Sequence, residues 1–222
     1  MKNKGKKNSK YGNALTVLLV IIIVVVIGLL GFLGYQYIYK TQVDNEAQEF
    51  VADYQNQVKD QTSDDNTGDA QSPLDDLQQV QSGDGTYKPT YKGFDVLGTI
   101  DIPKTDVHYP ILAKASAPAI AVAVGVQYGP GPNQVGNTVI AGHNYRNGQF
   151  FSDNKKLAIG DVIYITDNSG TQLKYVIYNK YETTPEDTDY MLRDTQGAKE
   201  ISLTTCTDDS KARTIIWAKA EE

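Results

Sequence analysis

The pattern of hydrophobic and polar positions divides the chain into an apolar run, a polar stretch and a region of short alternating segments. Nearly every position from Leu15 to Leu33 is a large hydrophobe, over 19 residues. As a helix this run would be roughly 28 Å long, which matches a hydrocarbon core of about 30 Å. Tyr35, Tyr37 and Tyr39 follow it, as expected where aromatic side chains gather at a membrane interface. We therefore predict a transmembrane helix over residues 14–39.

The residues before the apolar run predict its orientation. The first 13 residues contain five lysines and no acidic residue, and basic flanks stay on the cytoplasmic side of a membrane. Residues 1–13 are therefore predicted to be cytoplasmic, and the chain after residue 39 extracellular. A cleaved signal peptide is the alternative, but the apolar run exceeds the length of about 7–15 residues that is usual for such a segment.

Residues 40–92 are rich in Asp, Gln, Asn, Ser and Thr, which is typical of a stalk or linker. Within this stretch Ala47, Phe50, Val51, Tyr54 and Val58 recur at helical spacing. They predict a short amphipathic helix that rests either on the folded domain or on the membrane. The following residues, 63–72, are too polar to fold and are predicted to form a flexible spacer.

From Leu97 onward short β-type runs alternate with turn signals such as Gly129-Pro130-Gly131-Pro132. Eight strands in about 125 residues favour a closed barrel, because closure removes exposed edges. We therefore predict an all-β fold, an eight-stranded barrel with short helices. The predicted strands are Leu97–Ile102, Asp106–Ile111, Ala121–Tyr128, Asn137–Gly142, Asp161–Thr166, Gln172–Glu182, Glu200–Cys206 and Arg213–Ala218.

The charge distribution argues against a nucleic-acid partner. The net charge is −6, and removing the five amino-terminal lysines leaves −11 on the rest of the chain. An acidic body with a small basic tip repels a polyanion over most of its surface.

The single cysteine, Cys206, ends a predicted strand and precedes the polar loop Thr207–Ser210, where a reactive side chain can be presented. It cannot form an internal disulfide, so in an exported chain it is a free thiol or an intermolecular link. Most free cysteines are small buried hydrophobes. The position of Cys206 before a polar loop favours a nucleophile instead.

His143 lies 63 residues before Cys206 and ends the segment NTVIAGH, where Gly142 removes bulk beside it. An imidazole relays protons near neutral pH, so His143 is the predicted acid and base. The other histidine, His108, alternates with its neighbours in a strand and is predicted to face solvent.

Arg213 is the only arginine after the cysteine, and it opens the last predicted strand. A guanidinium does not act as a base, but it can hold a substrate carbonyl or a developing oxyanion. Arg146 and Arg193 are predicted to be ordinary surface cations. With Cys206 and His143, Arg213 completes a minimal set for covalent acyl transfer at a carbonyl.

No cofactor or metal site is predicted. Metal sites need clusters of histidine, cysteine or carboxylate side chains. Asp187, Asp189 and Asp194 are interpreted as solvated turn residues rather than calcium ligands.

Several segments, taken in order, resemble the sortases, the membrane-anchored cysteine transpeptidases of Gram-positive bacteria. They are IDIPKTDVHYPI, PGPNQVGNTVIAGHNY, two phenylalanines followed by GDVIYI, then SLTTC and the last strand that begins with arginine. Papain-like hydrolases place cysteine before histidine, and this chain does the reverse. The Ser-His-Gly-Cys pattern of the L,D-transpeptidases is absent. Ser202 stands where the sortase pattern Thr-Leu-x-Thr-Cys begins with threonine.

The resemblance implies a catalytic barrel over residues 93–222 that acts on an LPXTG-like sorting signal without a cofactor. Cys206 would attack the Thr–Gly carbonyl, His143 would transfer protons and Arg213 would steady the oxyanion. The implied partners are secreted proteins with that signal, an amine of a peptidoglycan precursor, and the lipid bilayer. The short loop Thr183–Lys199 and the lack of a lid motif indicate a housekeeping-type or class D-like enzyme.

Substrate contacts are predicted beside the cysteine and on the loop before its strand. The predicted residues are Leu203, Thr205, Thr207, Pro185, Met191 and Leu192. Two alternatives stay open. One is an extracellular cysteine endopeptidase, in which water resolves the acyl-enzyme. The other is a membrane-tethered β-barrel binding module with an incidental thiol.

Overall fold

The computed structural model describes residues 10–63 and 88–221, and it divides the chain into two compact units. One unit extends to Val43 and the other begins at Asp44. Helix α1, Lys10–Ser63, contributes to both, so its two parts are described separately. The predicted basic tip before residue 10 and the predicted spacer after residue 63 lie outside the described residues, and the sequence-based domain boundaries stay a prediction.

The first part of α1 contains the apolar run. Its most apolar stretch of 18 residues has a mean hydropathy of 3.3, and none of that stretch is buried. The run of isoleucine and valine is helical, and a helix satisfies its own backbone hydrogen bonds in lipid, which a lone strand cannot do. Within the described residues, α1 alone is long and apolar enough to span a membrane.

The second part of α1 is amphipathic and packs on the folded domain. Ala47, Val51, Tyr54 and Val58 are all buried, and their spacing of three or four residues places them on one face of the helix. The hydroxyl of Tyr54 donates a hydrogen bond to Oδ1 of Asn168, at 2.7 Å. The sequence predicted that this helix rests either on the folded domain or on the membrane, and the structure shows it on the folded domain.

The remaining elements form a nine-stranded sheet with short helices between the strands. The strands are β1 Thr90–Tyr91, β2 Phe94–Ile102, β3 Val107–Leu112, β4 Val124–Tyr128, β5 Gly136–Ala141, β6 Val162–Asp167, β7 Gln172–Thr183, β8 Lys199–Cys206 and β9 Arg213–Ala220. The helices are α2 Ala117–Ile120 and the 3-10 turns Pro103–Thr105, Asn154–Lys156 and Asp189–Met191.

Eight of these strands close into a barrel, as predicted. Their order is β2-β3-β4-β5-β8-β9-β7-β6, and antiparallel pairing of β6 with β2 completes the circle. The pairs β3–β4 and β5–β8 are parallel, and the others are antiparallel. The two-residue strand β1 adds to the start of β2.

The barrel is filled by β-branched and leucine side chains from one face of each strand. Fully buried examples are Ile100, Ile111, Ile140, Ile163, Ile177, Leu203 and Ile216. Successive side chains of a strand point to opposite faces, so the intervening residues of β5, β8 and β9 point outward.

The eight predicted strands correspond to β2 to β9, with ends that differ by at most three residues. The largest differences have local causes. Pro118 lies in the first turn of α2, which ends at Ile120, so β4 begins at Val124 rather than at residue 121. Lys92 and Gly93 both have positive φ angles and form a tight turn, which adds β1 and lengthens β2.

Closure of the barrel depends on a glycine. A Cβ atom at Gly98 would lie 2.4 Å from the carbonyl oxygen of Thr166, where β2 pairs with β6. We expect Gly98→Ala to destabilise the domain by about 1–3 kcal/mol, since backbone atoms cannot rotate away as a side chain can. Urea unfolding of the full chain in detergent measures this loss. Gly28→Ala is the matched control, because nothing lies within 4 Å of that position. Equal stability of both variants would contradict the closure described here.

Candidate active site

Three neighbouring strands bring the predicted reactive residues into one row. In the parallel pair β5–β8, each residue of β5 is paired with the residue 63 positions later, up to Ala141 with Thr204. The same offset continued by two residues places His143 beside Cys206. In the antiparallel pair β8–β9, Cys206 is paired with Arg213. Since residues in register on adjacent strands point to the same face, Cys206 and Arg213 share one side of the sheet. The charge of Arg213 also acts on the imidazole of His143, which lies just past the end of β5.

Cys206 and Arg213 are in direct contact. Nη1 of Arg213 lies 2.5 Å from Sγ of Cys206 and donates to it. Both residues are half-buried, so the thiol is held in place and still reachable from solvent.

His143 lies just past the end of β5, in a partly buried position. Burial lowers the pKa of its imidazole, and the charge of Arg213 lowers it further. Its ring stacks on that of Tyr145, with centroids 4.9 Å apart. A Cβ atom at Gly142 would lie 2.7 Å from the ring of Phe151, so the glycine allows the chain to turn closely past that ring. The second histidine, His108, lies on β3 and is half-buried rather than fully facing solvent. Its ring nitrogens lie 3.4 Å from Asp101 of β2 and 3.3 Å from Asp106, which precedes β3.

Asn144 connects the loop after His143 with the loop after Cys206. Its side-chain amide donates to the carbonyl oxygen of Cys206 at 3.0 Å and to Oδ1 of Asp208 at 2.9 Å. Lys155 adds an ion pair with Asp208. Asn144 is not among the residues predicted from the sequence, although its place directly after His143 is a signal that could have suggested a role.

An open cleft of about 370 Å³ adjoins Cys206. Its lining includes Asn144, Glu182, Thr207 and Asp209. Among the described residues there is no group of three or more histidine, cysteine or acidic side chains that could hold a metal ion.

The same face of the sheet carries an apolar cluster. Val139 and Ile215 lie on it, two to four positions from the reactive row along their strands, and Tyr190 of the β7–β8 loop packs against them. Met191 and Trp217 are partly exposed at its margin. Val139 and Ile215 are fully buried beneath Tyr190, so the apolar atoms that this cluster exposes on the outward face come from side chains at its margin, such as Met191 and Trp217.

Arg193 is not a surface cation, which corrects the sequence-based interpretation. Its guanidinium pairs with Glu200 at 2.6 Å, with the two side chains 11% and 9% exposed. It also donates to Asn137 at 2.9 Å and lies 4.2 Å from the ring centroid of Trp217. The amide of Asn137 in turn donates to the carbonyl oxygen of Tyr190. These contacts fasten the β7–β8 loop to the outer face of the sheet.

The predicted substrate contacts next to the cysteine occupy different environments. Leu203 is fully buried and Thr205 is 5% exposed, and both are on the alternate positions of β8 that face away from the reactive row. Thr207 is half-buried, and its hydroxyl donates to Asp209. Leu203 therefore supports the strand from within the fold, whereas Thr205 also lines the cleft that adjoins Cys206.

The predicted loop contacts are nearer to the surface. Pro185 and Leu192 are exposed, and Met191 is half-buried against the apolar cluster. Asp187 of the same loop accepts hydrogen bonds from Thr183 and from the backbone of Asp189, so it is engaged in the turn itself.

Comparison with known proteins identifies the family. Residues 100–221, more than half of the 222-residue chain, match the family model of the Sortase domain. The chain belongs to the sortase family. This match confirms the family that the sequence motifs indicated, and the subclass stays a prediction. Sortases are membrane-anchored cell-wall transpeptidases.

Individual sortases are similar over much of the chain. Sortase A of Bacillus anthracis is 31% identical over 138 residues, which cover 57% of this chain and 63%, less than two thirds, of that protein. The structure of a Clostridium perfringens Sortase D5 transpeptidase is similar with a TM-score of 0.56 and 25% identity, covering 82% of this chain and 99% of that one. A lid mutant of Sortase A from Corynebacterium diphtheriae gives a TM-score of 0.54 and 25% identity, covering 79% and 94%.

The two histidines of this sortase can be followed separately by NMR as the pH changes. We expect the pKa of His143 below the ordinary value, because burial and Arg213 disfavour the imidazolium. The pKa of His108 should lie above it, because a hydrogen bond with Asp101 favours the charged ring. Arg213→Gln should raise the pKa of His143 and leave His108 unchanged. A His143 that does not respond to this substitution would contradict the proposed proximity.

The contacts of Arg193 predict a loss of stability when it is replaced. Arg193→Met leaves Glu200 buried without its cation, and removal of one partner of a buried ion pair costs about 3–5 kcal/mol. Chemical unfolding should show a large loss for this variant and little for Arg146→Met, which alters an exposed arginine. The double variant Arg193→Met, Glu200→Leu should recover much of the loss. A double variant less stable than the single one would overturn this interpretation.

Proposed function

We propose that this sortase cleaves an LPXTG-like sorting signal between threonine and glycine and transfers the new carboxyl end to an amine of a cell-wall precursor. Cys206 is the nucleophile, His143 the acid and base, and Arg213 the electrostatic stabiliser. The observation that carries this proposal is the row on β5, β8 and β9, with the guanidinium of Arg213 against the sulfur of Cys206.

In the first half of the reaction the thiol proton of Cys206 passes to His143, and the sulfur attacks the carbonyl carbon of the threonine. A C–S bond forms, the Thr–Gly C–N bond breaks, and the leaving amine takes a proton from His143. A lowered pKa makes the imidazolium of His143 a stronger acid, which suits proton delivery. Arg213 lies within reach of the oxyanion that forms beside the sulfur, where a positioned donor is most effective.

In the second half an incoming amine attacks the thioester. The C–S bond breaks, an amide forms, and the proton lost by the amine passes to the neutral His143. The thioester divides one difficult transfer into two easier ones. A plain cysteine endopeptidase would use water at this step, and the same residues could serve both reactions.

The outer face of β5, β8 and β9 offers a path for the sorting signal. Met191 and Trp217, at the margin of the buried cluster around Val139 and Ile215, are partly exposed on the same face as Cys206 and Arg213. These apolar side chains suit the leucine and proline of such a signal. Met191, Leu192 and Pro185 of the β7–β8 loop form one wall of the proposed groove that binds the sorting signal. Thr207 lines the cleft beside the thiol and is the proposed contact on its other side.

The first part of α1 is the proposed single-pass anchor, with the amino-terminal end cytoplasmic and the barrel outside the cell. Its length and hydropathy fit a membrane span, and the five lysines before it favour this direction. In that location the enzyme meets secreted proteins and lipid-linked precursors. Protease added to intact protoplasts should then reach the barrel.

The test is a ligation assay with an LPXTG peptide and an added amine. Cys206→Ala should abolish both cleavage and ligation, and His143→Ala should nearly do so. Arg213→Lys keeps the charge but loses the planar fork, so we expect a fall of about 10²–10³ in turnover, the scale for one lost oxyanion donor. His108→Ala is the matched control for His143→Ala and should retain activity.

Each outcome separates the candidate functions. Ligated product that increases with amine concentration supports transpeptidation, whereas hydrolysis alone indicates an endopeptidase. Binding of the peptide without any cleavage indicates a binding module. Full turnover by Arg213→Lys, or loss of activity in His108→Ala, would overturn the assignment of roles.

A further inference from the structure

The second part of α1 contacts the loop that follows His143. Oδ1 of Asp44 accepts a hydrogen bond of 2.5 Å from the hydroxyl of Tyr109 on β3. Burial and this hydrogen bond raise the pKa of Tyr109 well above its usual value, so the phenol stays protonated as the donor. The amide of Gln149, within the loop, lies 3.4 Å from the same oxygen of Asp44.

A continuous series of aromatic contacts joins this hydrogen bond to the imidazole. The ring of Tyr109 packs on Phe150 with centroids 4.9 Å apart, and Phe150 packs on Tyr145 at 5.7 Å. Tyr145 stacks on His143 at 4.9 Å. Each ring in the series therefore contacts the next one, from Tyr109 to His143.

The loop itself has an unfavourable backbone. Phe150 is fully buried and has a φ angle of 52°, a left-handed conformation that a bulky side chain rarely adopts. Such a conformation persists only where surrounding contacts determine it. Here those contacts come from Tyr109 on one side and from the backbone of His143, whose carbonyl oxygen accepts the N–H of Phe151, on the other.

We propose that Asp44 and Tyr109 are positioning residues for His143: their hydrogen bond fixes the strained loop and, through Phe150 and Tyr145, the orientation of the imidazole. The helical segment that directly follows the apolar run in the chain is then part of the active-site scaffold. For its activity readout this inference rests on the proposed transpeptidase function, but its spectroscopic readout does not.

A second hydrogen bond between α1 and the barrel supplies a matched control. Tyr54 donates to Asn168 at 2.7 Å. Neither residue belongs to the series of aromatic contacts that leads from Tyr109 to His143. Tyr109→Phe and Tyr54→Phe each remove one hydroxyl from the same helix-to-barrel interface. Only the first change should reach the catalytic ring.

The experiment uses the full chain in detergent, with histidine-labelled protein for NMR and the peptide ligation assay. Tyr109→Phe should lower kcat by roughly 10- to 100-fold with little change in KM, since a misplacement of about 1 Å can cost about 10²-fold. The pKa of His143 should rise towards its ordinary value, because a displaced imidazole is less buried and burial is the largest cause of its lowered pKa. The smaller effect of Arg213 should remain. Tyr54→Phe should leave kcat and this pKa unchanged.

Two variants of Asp44 separate positioning from general stability. Asp44→Asn keeps a carbonyl oxygen that can accept from Tyr109 and should retain most of the activity, whereas Asp44→Ala should behave like Tyr109→Phe. The double variant Asp44→Ala, Tyr109→Phe should be no worse than either single one, because both remove the same hydrogen bond. Equal effects of Tyr109→Phe and Tyr54→Phe, or an unchanged His143 titration in Tyr109→Phe and Asp44→Ala, would overturn the proposal. If wild-type protein ligates no peptide, the transpeptidase proposal fails while the titration still decides this one.

Discussion

The register of β5, β8 and β9 is the constraint on which the site depends. Cys206 is paired with Arg213 across an antiparallel hairpin, and the parallel offset of 63 residues brings His143 to the same level. Because side chains alternate along a strand, a slip of one residue would turn Cys206 into the barrel and bring Thr205 or Thr207 into its place. Only this register brings the thiol, the imidazole and the guanidinium close enough together to act in one reaction.

The closed barrel makes that register possible. A parallel pair such as β5–β8 needs a long connection, and here β6 and β7 lie within it and complete the circle by pairing with β2 and β9. The inward residues of the strands fill a core that tolerates no slippage. The outward residues are thereby free to carry the reactive row, the apolar cluster and the pair formed by Arg193 and Glu200.

Much of the fold was predictable from sequence because short β-type runs and their turns are local signals. The positions of Cys206, His143 and Arg213 were also predictable, since each stands at a strand end and is a rare residue type in this chain. Their catalytic roles stay a proposal. Arg193 was misjudged because its burial comes from Glu200 and Trp217 on other segments. The role of Asp44 could not be inferred either. Its partner Tyr109 is 65 residues away, and no local pattern relates them.

A disulfide between strand ends tests the register most directly. The chain has one cysteine and two histidines, so His143→Cys and His108→Cys each create a single new thiol. Neighbouring strands lie about 4.7–4.9 Å apart, a separation that a disulfide can bridge. Under mild oxidation, intact-mass measurement should show an intramolecular disulfide with Cys206 for His143→Cys and none for His108→Cys. Two free thiols in His143→Cys, under conditions where both react with an alkylating reagent, would contradict the shared row.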